Sequence, residues 1–170
     1  IFRIMKRKAF ALTQANRFED AIAVNRQILS FLKKYPDIEK ETAILIDLGG
    51  LLMKVGKFDE ALSHLDEALE YSRQLGDERL ELFALTNIAA VIQSKGDYTE
   101  AANIYWQARS IANQIQNYAA LATIETNLGL ILLAQQKYTQ SLDRFLSAIS
   151  VSDTDGLLIQ KFSALIGLSI

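Results

Sequence analysis

The chain has 170 residues, half of them hydrophobic, with one proline and a formal net charge of -2. This is enough apolar residue for a sizeable core and excludes a disordered chain. The charge excludes the strong basic face that a dedicated nucleic-acid binder needs. There is no cysteine, hence no disulfide, no thiolate nucleophile and no cysteine-bound metal. A reducing, cytoplasmic compartment is the default expectation, and no apolar run approaches a membrane span, so neither nucleic acid nor membrane is an expected partner.

Taken in order, Ile1–Ala15 reads as a helix, with Ile4, Met5, Ala9, Ala11 and Leu12 at helical spacing. A second runs from Phe18 to Lys34 and is ended by Pro36, because proline disfavours the helical state of the residue before it. Asp37 is the expected N-cap of a third, which runs to Val55. Helices follow over Phe58–Leu75, Glu78–Lys95, Tyr98–Gln116, Tyr118–Gln135 and Tyr138–Ser152. Asp153-Thr154-Asp155-Gly156 is a turn cluster, and Leu157–Ile170 starts a further helix. The opening Ile1-Phe2-Arg3 has neither an initiator Met nor a signal-peptide layout, so a piece of a longer protein is expected.

The turns repeat. Gly96-Asp97-Tyr98-Thr99-Glu100-Ala101 has copies at Asn16–Ala21, Gly56–Ala61 and Gln136–Ser141, each 40 residues apart. Such fixed-period self-similarity signals a repeat array. Aligned columns predict the packing. Phe18, Phe58, Tyr98 and Tyr138 put a ring under each turn. Ala21, Ala61, Ala101 and Ser141 let two helices approach, as do Ile28, Ala68, Ala108 and Ala148. Leu48-Gly49, Ile88-Ala89 and Leu128-Gly129 set a small residue beside a large one, and Leu12, Leu52, Ile92 and Leu132 align four further on.

At these columns the chain resembles the tetratricopeptide repeat family. The resemblance is carried by Leu45, Leu48-Gly49, Leu52, Gly56, Phe58, Ala61, Leu65 and Ala68 in one unit and by Leu85, Ile88-Ala89, Ile92, Gly96, Tyr98, Ala101, Tyr105 and Ala108 in the next. The commonest period of that family is about 34 residues. The longer period here, with the closing Leu75-Gly76-Asp77, is similar to Rap-type regulators, kinesin light chains, Pins-like adaptors and the repeat arms of large bacterial signalling ATPases. The resemblance implies an all-α fold: a right-handed superhelical solenoid of antiparallel helix pairs in a single domain, with units at about 2–36, 37–77, 78–117 and 118–156 and a partial fifth at 157–170. The chain departs from the family pattern at Lys8, Asn25 and Glu125, where bulky apolar residues are usual, so the end units are expected either to be looser or to be covered by a further segment.

Solenoids of this kind bind on the concave face lined by the first helix of each pair. Removing the packing columns leaves a stripe there. It contains Arg7, Asp47, Asn87 and Asn127, flanked by Ala43, Phe83 and Thr123; Ile46, Thr86 and Thr126; Gly50, Ala90 and Leu130; Met53, Gln93 and Leu133; and Lys54 and Ser94. In the resembled families an Asn in the slot of Asn87 and Asn127 bonds the backbone of a bound peptide, and an amide both donates and accepts. The expected peptide-binding groove is therefore Asp47, Gly50, Met53, Lys54, Phe83, Asn87, Ala90, Gln93, Thr123, Asn127 and Leu130. The subset that binds chaperone tails looks like a Lys followed four residues later by Asn. Here Lys6 is followed by Phe10, which disfavours that activity.

Little else suggests chemistry. His64, the sole histidine, has Glu60 and Glu67 at helical spacing but reads as a surface residue rather than a ligand or base. Gly49-Gly50 lies inside a helix and lacks the Lys-Ser/Thr of a phosphate loop. No catalytic residue, metal or cofactor is expected, and the chain is not read as an enzyme. Arg3, Lys6, Arg7 and Lys8 form the densest basic cluster, either a solvated helix or a seat for an acidic group. Trp106 is either an exposed hot spot or tucked against Arg109 or Asn103. Phe162, Leu165 and Ile166 make the last helix apolar on more than one face, so a following helix or, for a homodimer, a second copy should cover it. The function expected is a protein-interaction module that binds a peptide or amphipathic helix as the scaffold or sensor arm of a larger regulator. The alternative is a structural array for self-association or domain positioning.

Overall fold

The computed structural model describes residues 1–154. Among the described residues there are eight helices and no strand: α1 (Phe2–Gln14), α2 (Phe18–Lys34), α3 (Ile38–Lys54), α4 (Phe58–Leu75), α5 (Glu78–Ser94), α6 (Tyr98–Gln114), α7 (Tyr118–Ala134) and α8 (Tyr138–Thr154). Every helix expected in this range is present. The partial unit at 157–170, with Phe162, Leu165 and Ile166, lies outside the described residues.

Helix ends follow from backbone chemistry. The last carbonyls of a helix have no intrahelical donor, and a left-handed residue just past the end supplies one. Asn16, Gly56, Gly96 and Gln136, in register 40 apart, have φ of 55°, 76°, 91° and 60°. The next amide then turns back to the helix: Arg17 N–H donates to Leu12 O, Lys57 to Leu52 and Lys137 to Leu132, each at 2.9 Å, and Asp97 to Ile92 at 3.2 Å. Gly76 and Gln116, at φ 65° and 54°, close α4 and α6 in the same way, which is why α6 stops two residues before the expected Gln116. Asp37 caps α3 as expected, its carboxylate accepting the Lys40 N–H at 3.0 Å.

The chain divides into two compact units, one spanning Ile1–Val91 and a second beginning at Ile92. In the first, α1 packs on α2, α2 on α3 and α3 on α4. Its core holds Ala9, Val24, Ile28, Leu32 and Ile44 in one cluster and Leu45, Ile46, Ala68 and Ala84 in another. In the second unit α6 packs on α7 and α7 on α8.

Both small columns are buried as expected: Ala21, Ala61, Ala101 and Ser141, and Ile28, Ala68, Ala108 and Ala148. Ser141 occupies its slot by donating its hydroxyl to Gly129 O at 2.8 Å. The ring column behaves differently. Phe18 and Phe58 are half-buried, but Tyr98 and Tyr138 are exposed, the latter at 64%. A phenol keeps its hydroxyl in water where a phenyl ring gains only by burial, so these two rings do not wedge under their turns as the sequence suggested. Ile46 and Thr126, assigned to the exposed stripe, are buried as well.

Glycine has two distinct uses inside the helices. A Cβ at Gly49 would lie 2.6 Å from Leu65 Cδ2, and one at Gly129 would lie 2.6 Å from Phe145 Cε1, so each glycine is the hole for a large side chain of the next helix. Gly50 faces only Asn87 Oδ1, at 3.6 Å. Gly129→Ala is therefore expected to destabilise by about 1–3 kcal/mol through overpacking. Gly50→Ala is expected to stabilise by about 0.5–1 kcal/mol through helix propensity. Urea unfolding of the two variants checks the contrast.

Candidate functional site

In the first unit the expected stripe converges on one cavity of about 440 Å³. Asp47, Gly50, Met53, Lys54 and Asn87 all line it, together with Lys6, Phe10, Thr13, Gln14, Phe18, Asn25 and Ile46. Phe83 and Ala90 are not part of the lining; Phe83 is an exposed ring one helical turn before Asn87. The Asn87 amide donates to the Phe83 carbonyl at 3.0 Å. One N–H is thus spent on its own helix, while a second N–H and the oxygen lone pairs remain in the amide's repertoire. Lys6 Nζ lies 4.0 Å from Asp47 Oδ2. Desolvation by the surrounding protein raises the Asp47 carboxyl above its ordinary 3.8, and the Lys6 charge pulls it part of the way back.

In the second unit, Gln93, Thr123, Asn127 and Leu130 are only partly buried or exposed. Thr123 donates its hydroxyl to Ala119 O at 2.9 Å. The Tyr105 hydroxyl, deep in the unit, donates to Gln93 Oε1 at 3.1 Å and receives a hydrogen bond from Asn127. Burial raises the Tyr105 pKa, with the Asn127 hydrogen bond opposing. The two expected clamps therefore differ: Asn87 is tied to its own helix and Asn127 to a buried phenol.

The sequence missed what Glu125 does. It is fully buried, and its two oxygens are divided between Arg109 Nε at 2.6 Å and Arg144 Nη1 at 3.2 Å. Both guanidiniums also lie over the Trp106 ring, with Cζ 5.2 and 5.6 Å from its centroid. Glu125 thus ties α6, α7 and α8 together, which overturns the expectation that it loosens the fourth unit. Trp106 is stacked against Arg109, as one of its readings had it, and is 44% exposed. It borders a second cavity of about 460 Å³ with Asn103, Gln140 and Arg144. The signal for this cluster was present as two arginines at spacings of 16 and 19 residues from one out-of-place carboxylate, but a spacing across three helices has no local periodicity.

His64 is half-buried, with Nε2 4.0 Å from Glu60 Oε1. Among the described residues no three His, Cys, Asp or Glu side chains are grouped to hold a metal. Among the described residues no helix is long and apolar enough to cross a membrane. Arg3, Lys6, Arg7 and Lys8 are all exposed.

The family profile for the tetratricopeptide repeat matches residues 40–114 and again 80–154. The chain belongs to the tetratricopeptide repeat family. No curated protein sequence matches it. Among solved structures, a Rap protein complexed with competence and sporulation factor is 23% identical, with a TM-score of 0.79 over 85% of this chain and 40% of that one. Aspartyl phosphate phosphatase F from Bacillus subtilis is 14% identical, with a TM-score of 0.85 over 99% of this chain and 44% of its own. The putative kinesin light chain repeats of Podosopora anserina are 13% identical, with a TM-score of 0.75 over 98% and 85% of the two chains. The chain spans less than half the length of the first two. The shared feature is the all-α helical repeat fold.

Two expectations follow from the electrostatics. Removing both arginines (Arg109→Ala with Arg144→Ala) strands a buried carboxylate and should cost about 3–5 kcal/mol, whereas replacing the whole triad with apolar residues (Arg109→Met, Glu125→Leu and Arg144→Met) should stay within about 1 kcal/mol of the parent. Chemical denaturation of both variants checks this. An acid whose pKa is raised by folding binds its proton more tightly folded than unfolded, so its charge opposes folding above that pKa and the penalty vanishes below the unfolded value. Asp47→Asn is thus expected to raise stability at pH 7 and to lose that advantage as the pH falls below 3.8, as read from thermal melts across pH.

Proposed function

We propose that the chain is a protein-interaction module that binds a peptide or an amphipathic helix along the stripe of its first-of-pair helices, as the scaffold or sensor arm of a larger regulator. The observation that carries this reading is the cavity on the first unit. The stripe residues Asp47, Gly50, Met53, Lys54 and Asn87 were singled out by register alone, and they line one concavity with apolar walls and a few polar groups. Gly50 lets a ligand backbone come close, and its open surroundings make that the simplest reason for a glycine inside a helix. Asn87 in the first unit and Asn127 in the second act as backbone clamps, Phe83 and Leu130 as apolar contacts, and Ala90, Gln93 and Thr123 as floor and rim. One structural neighbour holds a bound factor, which is in line with a binding role.

Exchanging both clamps (Asn87→Ala with Asn127→Ala) should weaken a peptide isolated by affinity selection on the full chain by about 1–3 kcal/mol, the sum of two lost hydrogen bonds. Calorimetry that finds the affinity unchanged would refute the clamp assignment.

A second reading, self-association, is favoured by Tyr138, Leu142 and Leu146, which are exposed at four-residue spacing on α8. It requires a concentration-dependent oligomer, so sedimentation that finds only monomer across a wide concentration range removes it.

A further inference from the structure

The second helices of neighbouring pairs meet along a seam that is closed in the first unit and open in the second. In the first unit Ile22 of α2 is buried, and one turn further on Arg26 of α2 pairs with Glu60 of α4. The 40-residue register aligns these positions along the chain. Ile22, Leu62, Ala102 and Leu142 form one column, and Arg26, Asp66, Trp106 and Leu146 a second. Asp20, Glu60, Glu100 and Gln140 form the third. Between α6 and α8 the ion pair is thus replaced by Trp106 and Gln140. Ala102 has only a methyl group where the rest of its column carries a branched butyl chain.

The open seam is the cavity of about 460 Å³ in the second unit. Leu128, Ile131 and Leu132 of α7 line it, with Ala102 and Trp106 from α6 and Arg144 from α8. In the aligned column Leu52 is fully buried, whereas Leu132 is only partly so. A tryptophan that is half in water beside an apolar floor has the composition of a binding hot spot.

The groove is positive in a chain whose formal net charge is -2. Arg109 and Arg144 share the single carboxylate of Glu125, so one positive charge against the Trp106 ring is uncompensated. At the rim Lys137 adds a second and Asp143 opposes it. The acid of the third column is missing here, because Gln140 holds its place. Arg144 gives one N–H to Glu125 and its side chain is 28% exposed. Most of the guanidinium fork is left for an outside acceptor, and a carboxylate suits its geometry.

We propose that the groove between α6 and α8 is a docking site for a partner peptide that presents a leucine-type side chain next to an acidic one. The leucine occupies the volume left by Ala102, against Leu132 and the Trp106 ring. The carboxylate pairs with Arg144 and Lys137, and takes the part that Glu60 plays for Arg26 in the first unit. This site goes beyond the proposed stripe and shares no residue with it, so either can fail without the other.

Trp106 is the sole tryptophan of the chain, so its fluorescence reports on this groove alone. The probe is acetyl-Glu-Leu-Leu-Glu-amide, titrated into the full 170-residue chain. A saturable change in Trp106 emission is expected. The Gln-Leu-Leu-Gln peptide, which lacks the charge, should bind about tenfold more weakly. The Glu-Ala-Ala-Glu peptide, which lacks the apolar side chains, should also bind about tenfold more weakly. Added salt should weaken the acidic peptide and spare the neutral one. Ala102→Leu, which copies Leu62, should fill the groove and abolish binding without lowering the melting temperature. Lys137→Gln, an exposed change, should reduce the preference for the acidic peptide. The site is refuted by a signal that does not saturate, by equal affinity for the acidic and neutral peptides, or by a folded Ala102→Leu that binds as the parent does. The comparison of peptides needs no variant, so it stands even if Ala102→Leu does not fold.

Discussion

The fold depends on one kind of contact, a bulky side chain of one helix seated in a hole made by a small residue of the helix before it. Gly49 with Leu65 and Gly129 with Phe145 show it most directly, since neither glycine has room for a single added carbon. The buried Ala21, Ala61, Ala101 and Ser141 column keeps the helix backbones close enough for the knob to reach its hole. Interiors packed to this density tolerate neither a missing methylene nor an extra one. A repeat protein has no single central core to absorb an error, so each unit must satisfy this contact through its own neighbours.

Both unusual sites in the chain are places where that contact is modified. In the first repeat the knob position is held by Asn25, a buried side chain whose Oδ1 has no hydrogen-bond partner among the described residues. In the fourth, the position of the apolar Leu45 and Leu85 is taken by Glu125, and two arginines reach in from α6 and α8 to neutralise it. The two solutions differ in consequence. A buried carboxylate with two guanidiniums has its hydrogen-bonding capacity met from within, which fixes three helices and rules out a role for Glu125 in capturing a ligand. Asn25 leaves one buried acceptor unmet among the described residues, at a cost of about 1–3 kcal/mol. The same logic separates Asn87 from Asn127. Asn87 bonds only its own helix, whereas Asn127 serves the buried hydroxyl of Tyr105 and so contributes to the repeat core as well as to the surface.

What the sequence determined is local and periodic. The 40-residue register places the helices of the described residues, the turns between them, the Asp37 cap and the small columns, because each depends on a residue and its neighbours within one or two turns of helix. The stripe of Asp47, Gly50, Met53, Lys54 and Asn87 follows from the same periodicity, since a helix face is a property of spacing. What only the tertiary structure decided involves partners from different helices or the volume between them. The Arg109–Glu125–Arg144 cluster under Trp106 joins three helices, and no periodic rule links those positions. The exposure of Tyr98 and Tyr138 turns on whether a hydroxyl stays in water, which the shared ring column conceals. Asn25 looked in the sequence like a weak spot in the family pattern. Its burial and the lack of a partner for its Oδ1 among the described residues are properties of the packed helices, which the sequence pattern does not contain.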